Sequence, residues 1–120
     1  MGYAFFDGDN IGDTLEILLV EEKVAEAQRF SRNIKIAISE IEAKLKDIPD
    51  TEIIIAGGDD LLIKYDSRLH NMSFLEEIRT IFKARTNHSM SCGVGENIPH
   101  SVQNLYLAKL YGKNQIKGLQ

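Results

Sequence analysis

Short runs of apolar, β-branched or aromatic residues alternate along this chain with longer stretches whose apolar positions recur every three or four residues. Tyr3 to Phe6 is the first short run, and the turn formers Asp7-Gly8-Asp9-Asn10 stop it, which predicts a strand leading into a loop. Helix formers dominate from Asp13. Val24, Ala27, Phe30, Ile34, Ile38, Ile41 and Leu45 then mark one face of a long helix from Val20 to Lys46, preceded by a short separate turn at Thr14 to Leu19. Asp47-Ile48-Pro49-Asp50 ends that helix, because the residue before a proline is pushed away from helical geometry. Thr51 to Ala56 and Leu61 to Tyr65 predict adjacent antiparallel strands joined by Gly57-Gly58-Asp59-Asp60. A second helix over Ser73 to Ala84 buries Phe74, Ile78, Ile81 and Phe82, and a strand follows at His88 to Val94. Pro99 and Ser101 open a third helix that carries Val102, Leu105, Leu107 and Leu110 and closes near Gly112.

The order strand, helix, strand, strand, helix, strand is that of a split βαβ, ferredoxin-like sheet with helices on one face, here with an additional C-terminal helix. This is an α+β fold. A length of 120 residues fits one domain over positions 1–120, and no repeat, linker or low-complexity segment interrupts it.

Composition narrows the function. An apolar share of 43% and a charged share of 27% are those of an ordinary globular protein. No apolar run reaches the roughly 20 residues of a membrane span, and the first residues lack the basic segment of a signal peptide, so a cytoplasmic protein without membrane insertion is expected. Cys92 is the only cysteine, which excludes an internal disulfide and argues against a cysteine-based zinc site. The net charge of −4 argues against capture of long DNA or RNA.

In the predicted topology the loop after Phe6 and the Gly57-to-Asp60 turn meet at one edge of the sheet, so Asp7, Asp9, Asp59 and Asp60 can converge. Clustered carboxylates repel one another and raise each other's pKa unless cations lie between them. Magnesium and manganese prefer such oxygen ligands and complete their shells with water and phosphate oxygens. Gly8, Gly57 and Gly58 let backbone amides and carbonyls approach a phosphate or a metal. Asp and Gly are also the commonest turn residues, and either cluster alone reads as a plain turn. An EF-hand is excluded, because Ile11 and Leu18 stand where ligands are required. No GxxxxGK[ST] loop or GxSxG elbow is present, and His70, His88 and His100 lack metal-ligand spacing. Lys109 and Lys113 sit at a helix end, where the macrodipole alone favours cations.

Taken together, Phe6-Asp7-Gly8-Asp9-Asn10-Ile11-Gly12, the Gly57-Gly58-Asp59-Asp60 hairpin, Ser91-Cys92-Gly93-Val94-Gly95 and Ala108-Lys109-Leu110-Tyr111-Gly112-Lys113-Asn114 resemble the palm domain of the large subunit of type III CRISPR complexes and, more distantly, GGDEF cyclases. The chain covers the palm alone and is most similar to the minimal CRISPR polymerases. The resemblance implies two divalent ions, Mg2+ or Mn2+, with Asp7, the Gly8 carbonyl, Asp59 and Asp60 as ligands. It implies nucleotide contacts from Gly8, Asp9, Asn10, Ile11, Gly12 and Gly58, and triphosphate contacts from Lys109 and Lys113. The hairpin reads Asp59-Asp60-Leu61 rather than Glu-Glu-Phe or Asp-Glu-Phe, which favours the CRISPR-type branch and ATP over guanine nucleotides. The implied reaction is attack of a ribose hydroxyl on an α-phosphate to give a cyclic oligonucleotide, with a cyclic dinucleotide requiring a C2 homodimer. A separate effector would read this antiviral messenger. A catalytically silent triphosphate sensor, a ferredoxin-like small-molecule or subunit-interaction domain and a palm-like GTP cyclohydrolase are the competing expectations.

Overall fold

Alternation along the first strand decides which face of the sheet does what. In the computed structural model, which describes residues 1–118, β1 (Gly2–Gly8) turns Ala4 and Phe6 into the core and leaves Tyr3, Phe5 and Asp7 half-buried on the other face. The chain continues through α1 (Ile11–Val20), α2 (Val24–Lys46), β2 (Thr51–Gly57), β3 (Asp60–Tyr65), α3 (Met72–Thr86), β4 (Met90–Gly95), α4 (Ile98–Leu110) and β5 (Ile116–Lys117). The strand order is β2-β3-β1-β4-β5. The first four strands pair antiparallel in the ferredoxin-like arrangement, and β5 adds a short parallel edge to β4.

The helix face of α2 (Ile34, Ile38, Ile41, Leu45) and that of α3 (Phe74, Leu75, Ile78, Phe82) close over Ala4, Phe6, Ile63 and Cys92. Burying such side chains stabilises by about 1.5–3 kcal/mol each and sets where the helices lie. Asn71 caps α3 by accepting from the Ser73 amide at 3.0 Å, and Asn87 ends it in the left-handed conformation at φ 60°.

Three features depart from the sequence reading. The segment expected to be a short turn and the start of one long helix forms two helices, parted at Glu21-Glu22-Lys23 where Glu22 has φ 55°. The hairpin connection is two residues, Gly58 and Asp59, because Gly57 still pairs with Asp60. Gly58 has φ 59°, a left-handed conformation that glycine adopts at no steric cost. Third, α4 does not join the other helices. Gly93 lies between Cys92 and Val94, both core residues, so its missing side chain would point to the opposite face. A Cβ there would lie 2.7 Å from the Asn104 carbonyl carbon and still nearer to backbone atoms of Ser101 and Leu105. The α4 backbone therefore rests directly on β4, on the same face as Asp7. No helix among the described residues is long and apolar enough to cross a membrane.

Candidate functional site

Antiparallel register brings the three predicted acids together. Asp7 sits opposite Asp60 across the β1–β3 pair. The Gly8 amide donates to the Asp59 carbonyl at 3.3 Å and so holds the hairpin turn against the end of β1. One carboxylate oxygen from each of Asp7, Asp59 and Asp60 then lies within 4.8 Å of the others. Such crowding shows in their ionisation. Asp60 is pushed up to about 7 by its hydrogen bond to Asp7, by burial and by the charges of Asp7 and Asp59. Asp59 is pushed up to about 6 by burial and the charge of Asp7. Burial also opposes ionisation of Asp7, yet the hydrogen bond from Asp60 and the charge of Lys109 outweigh it and hold Asp7 below the ordinary carboxylate range.

Asp9, grouped with these acids in the sequence, lies outside their cluster and meets Asp7 only through the shared ammonium of Lys109. Its side chain is 2% exposed. It accepts hydrogen bonds from Ser89 Oγ at 2.7 Å, Ser91 Oγ at 2.8 Å and the Asn114 amide at 3.0 Å, and pairs with Lys109 Nζ at 2.7 Å. Its backbone is fixed as well, with the amide donating to the Ser89 carbonyl at 2.9 Å and His88 Nδ1 lying 3.1 Å from its carbonyl oxygen. Burial would raise its pKa, but the hydrogen bonds from Lys109, Ser89 and Ser91 hold it below the ordinary range. Asp9 thus fastens the exit of β1 to β4 and to the segment after α4. Sequence reasoning missed Ser89, Ser91 and Asn114 as its partners. Arg79 extends the network, donating to Asn114 Oδ1 at 2.8 Å and to the Met90 carbonyl at 2.7 Å.

The remaining predicted residues line one lip. An open recess of about 360 Å³ is bounded by Asp7, Gly8, Asn10, Ile11, Gly12, Asp13, Asp59, Lys109 and Lys113. Asn10 adopts the left-handed conformation at φ 62° immediately before α1, and its side-chain oxygen accepts from Lys113 Nζ at 2.6 Å. Ile11 differs from its fellows: its side chain belongs to the core and is 7% exposed. The first amides of α1 stand at this lip, where helix termini favour anions. Gly58 sits in the hairpin turn beside Asp59 but is not part of the recess lining. A larger cleft of about 840 Å³, bounded by Tyr65, His70 and Glu96 among others, lies at the far end of the sheet and holds none of the clustered acids.

The acid cluster suits a hard divalent cation. All its donors are carboxylate oxygens, and their mutual repulsion is what a cation between them relieves.

The family model described as the minimal CRISPR polymerase domain matches residues 3–119. No curated protein matches the chain. Among solved structures, the Csm1–Csm4 cassette in complex with pppApA is similar at a TM-score of 0.66 and 21% identity, over 96% of this chain and 20% of that one. Csm1 from T. onnurineus is similar at 0.65 and 22%, over 96% and 20%. The GGDEF domain of TpbB, or YfiN, from Pseudomonas aeruginosa is similar at 0.52 and 14%, over 97% of this chain and 74% of that one. The chain thus spans about a fifth of the Csm1 chains it matches. At these identities the likeness is one of fold, an α+β palm with a five-stranded sheet and four helices.

Proposed function

The chain belongs to the minimal CRISPR polymerase family, and from that premise we propose that it is a metal-dependent nucleotidyltransferase that converts ATP into a cyclic oligonucleotide, with a cyclic dinucleotide as the favoured product. The observation that carries this reading is the convergence of Asp7, Asp59 and Asp60, a cluster whose Asp7 and Asp59 line one recess together with Lys109 and Lys113. The pppApA bound by the Csm1–Csm4 cassette supports adenine as the base.

Asp7, Asp59, Asp60 and the Gly8 carbonyl would hold two Mg2+ or Mn2+ ions. When bound, these cations supply the positive charge that acidifies the attacking hydroxyl and neutralises the leaving pyrophosphate. Lys113 and the backbone amides of Asn10 to Gly12 bind and orient the triphosphate, with Lys109 from the neighbouring helix. The hydroxyl oxygen attacks the α-phosphorus, the bond to pyrophosphate breaks, and the hydroxyl proton passes to the basic oxygens of the aspartate cluster or to solvent.

One recess serves one triphosphate, so a cyclic dinucleotide needs two copies of the chain facing each other with C2 symmetry. Val102, Tyr106 and Leu110 form an exposed apolar stripe on α4, the helix that carries Lys109, and support such an interface. The product would act in the cytoplasm on a separate effector in antiviral signalling.

The test is incubation of the purified protein with each of the four ribonucleoside triphosphates and Mg2+ or Mn2+, with products identified by mass spectrometry beside Asp59→Ala. A cyclic adenylate made only by the unmodified protein is the expected result. Bound triphosphate with no product under any condition would replace the enzyme with a sensor, and a ring-opened product from GTP would replace it with a cyclohydrolase.

A further inference from the structure

Four oxygens surround the ammonium of Lys109: Asp9 Oδ1 at 2.7 Å, the Gly8 carbonyl at 3.0 Å, Asp7 Oδ2 at 3.1 Å and the Asp7 carbonyl at 3.2 Å. An ammonium has only three N–H bonds to give. It sits here as a compact cation in an oxygen cage, 22% exposed at the side chain, rather than as the donor of a few separate hydrogen bonds. Two of those oxygens, on the Asp7 carboxylate and the Gly8 carbonyl, belong to groups assigned above to the divalent ions. An oxygen shared between an ammonium and a divalent ion serves both less well, because the two cations repel at such short range.

Lysine suits a cation that must leave. Its charge is a point on a flexible four-carbon stem and is not locked by a planar fork, so it can turn without dismantling a bidentate pair. The recess beside it, bounded also by Lys113 and the start of α1, is where a triphosphate would offer that charge new partners. Asp9 would not be stranded by the move. Ser89, Ser91 and the Asn114 amide continue to donate to it.

We propose that Lys109 is a tethered cation that competes with the divalent metal for the oxygens of Asp7 and Gly8 and is drawn off by an incoming triphosphate, so that metal and nucleotide bind as a pair and the metal alone binds weakly. The proposal rests on the metal and nucleotide reading given above and adds a regulation of that site. The opposing charges thereby decide the order of events. Without nucleotide, the ammonium keeps the cluster partly neutral and resists the metal. With nucleotide, the phosphates take the ammonium and contribute ligands of their own.

The experiment is titration of Mn2+ into the unmodified protein and Lys109→Gln, with and without an ATP analogue whose α,β bond is a methylene, following free Mn2+ by electron paramagnetic resonance. Without nucleotide, Lys109→Gln is expected to bind Mn2+ about tenfold tighter than the unmodified protein, within the usual range for coupled ligands. The enhancement of Mn2+ binding by the analogue should shrink correspondingly. Equal or weaker Mn2+ binding by Lys109→Gln overturns the inference while leaving the metal site itself intact. Absence of Mn2+ binding to either protein, even with the analogue, overturns the metal reading and the inference with it. Circular dichroism establishes that the variant is folded, and Lys109→Met replaces it if it is not. A second readout needs no substitution: the Lys109 side-chain nitrogen resonance should move on joint addition of analogue and Mg2+ and stay in place with Mg2+ alone. A resonance displaced as far by Mg2+ alone contradicts the proposed pairing.

Discussion

Protons and divalent cations should compete for the aspartate cluster across an unusually high pH range. Metal binding to carboxylates requires them ionised. Asp59 and Asp60 are pushed up to about 6 and about 7, so at pH 5 the first is protonated by about ten to one and the second by about a hundred to one. A cation that displaces both protons therefore binds about a thousandfold more weakly at pH 5 than well above pH 7. The two groups share their protons with Asp7, so the steps belong to the cluster as a whole. Isothermal titration of Mn2+ at pH 5, 6, 7 and 8 measures this directly. An affinity that changes by less than about threefold over that range would refute the reasoning, because it is what isolated carboxylates near the ordinary value of about 4 would give.

Other consequences concern stability and packing. Without divalent cations, the raised pKa values of Asp59 and Asp60 make the folded state bind more protons than the unfolded chain does. Thermal stability should then be greatest below about pH 4 as far as these two groups are concerned and fall as pH rises through about 6 and about 7, and added Mg2+ should restore it mainly above pH 7. Melting temperatures measured across pH with chelator or with Mg2+ check both halves. Gly93→Ala forces a methyl against the α4 backbone, which cannot move aside as a side chain tip would; urea unfolding should show a loss of about 3 kcal/mol, at the upper end for overpacking. Asp9→Ala leaves the Ser89 and Ser91 hydroxyls, the Asn114 amide and Lys109 without their common acceptor. It should cost about 2–3 kcal/mol in the same assay.

The sheet was legible because four strands and two helices each carry a strong local pattern, and the split βαβ order leaves little freedom in how they connect. The position of α4 was written in Ser91-Cys92-Gly93-Val94-Gly95, where small residues alternate with apolar ones and leave one face of β4 bare. Without a rule that such a bare strip receives a helix backbone, the alternation reads as an ordinary strand. The two residues of β5 are too few to carry any period. The acids were harder. Asp7, Asp59 and Asp60 could be grouped because the split βαβ topology brings the end of β1 and the β2–β3 turn to one edge of the sheet, where Asp7 pairs with Asp60. Asp9 lies two residues from Asp7 and looks equivalent in sequence, but its direction is set by Ser89 and Ser91 on β4 and its approach, some 80 positions away. Ile11 fell among the loop residues by position, yet the turn at Asn10 rolls its side chain into the core.

The central claim, that Asp7, Asp59 and Asp60 hold divalent cations against the phosphates of a nucleotide, is tested most directly by anomalous diffraction from crystals grown with Mn2+ and the α,β-methylene analogue of ATP. The account predicts anomalous peaks among these three carboxylates, with the triphosphate along Asn10 to Gly12 and Lys113. Mn2+ bound elsewhere, or a triphosphate seated away from this recess, would contradict it.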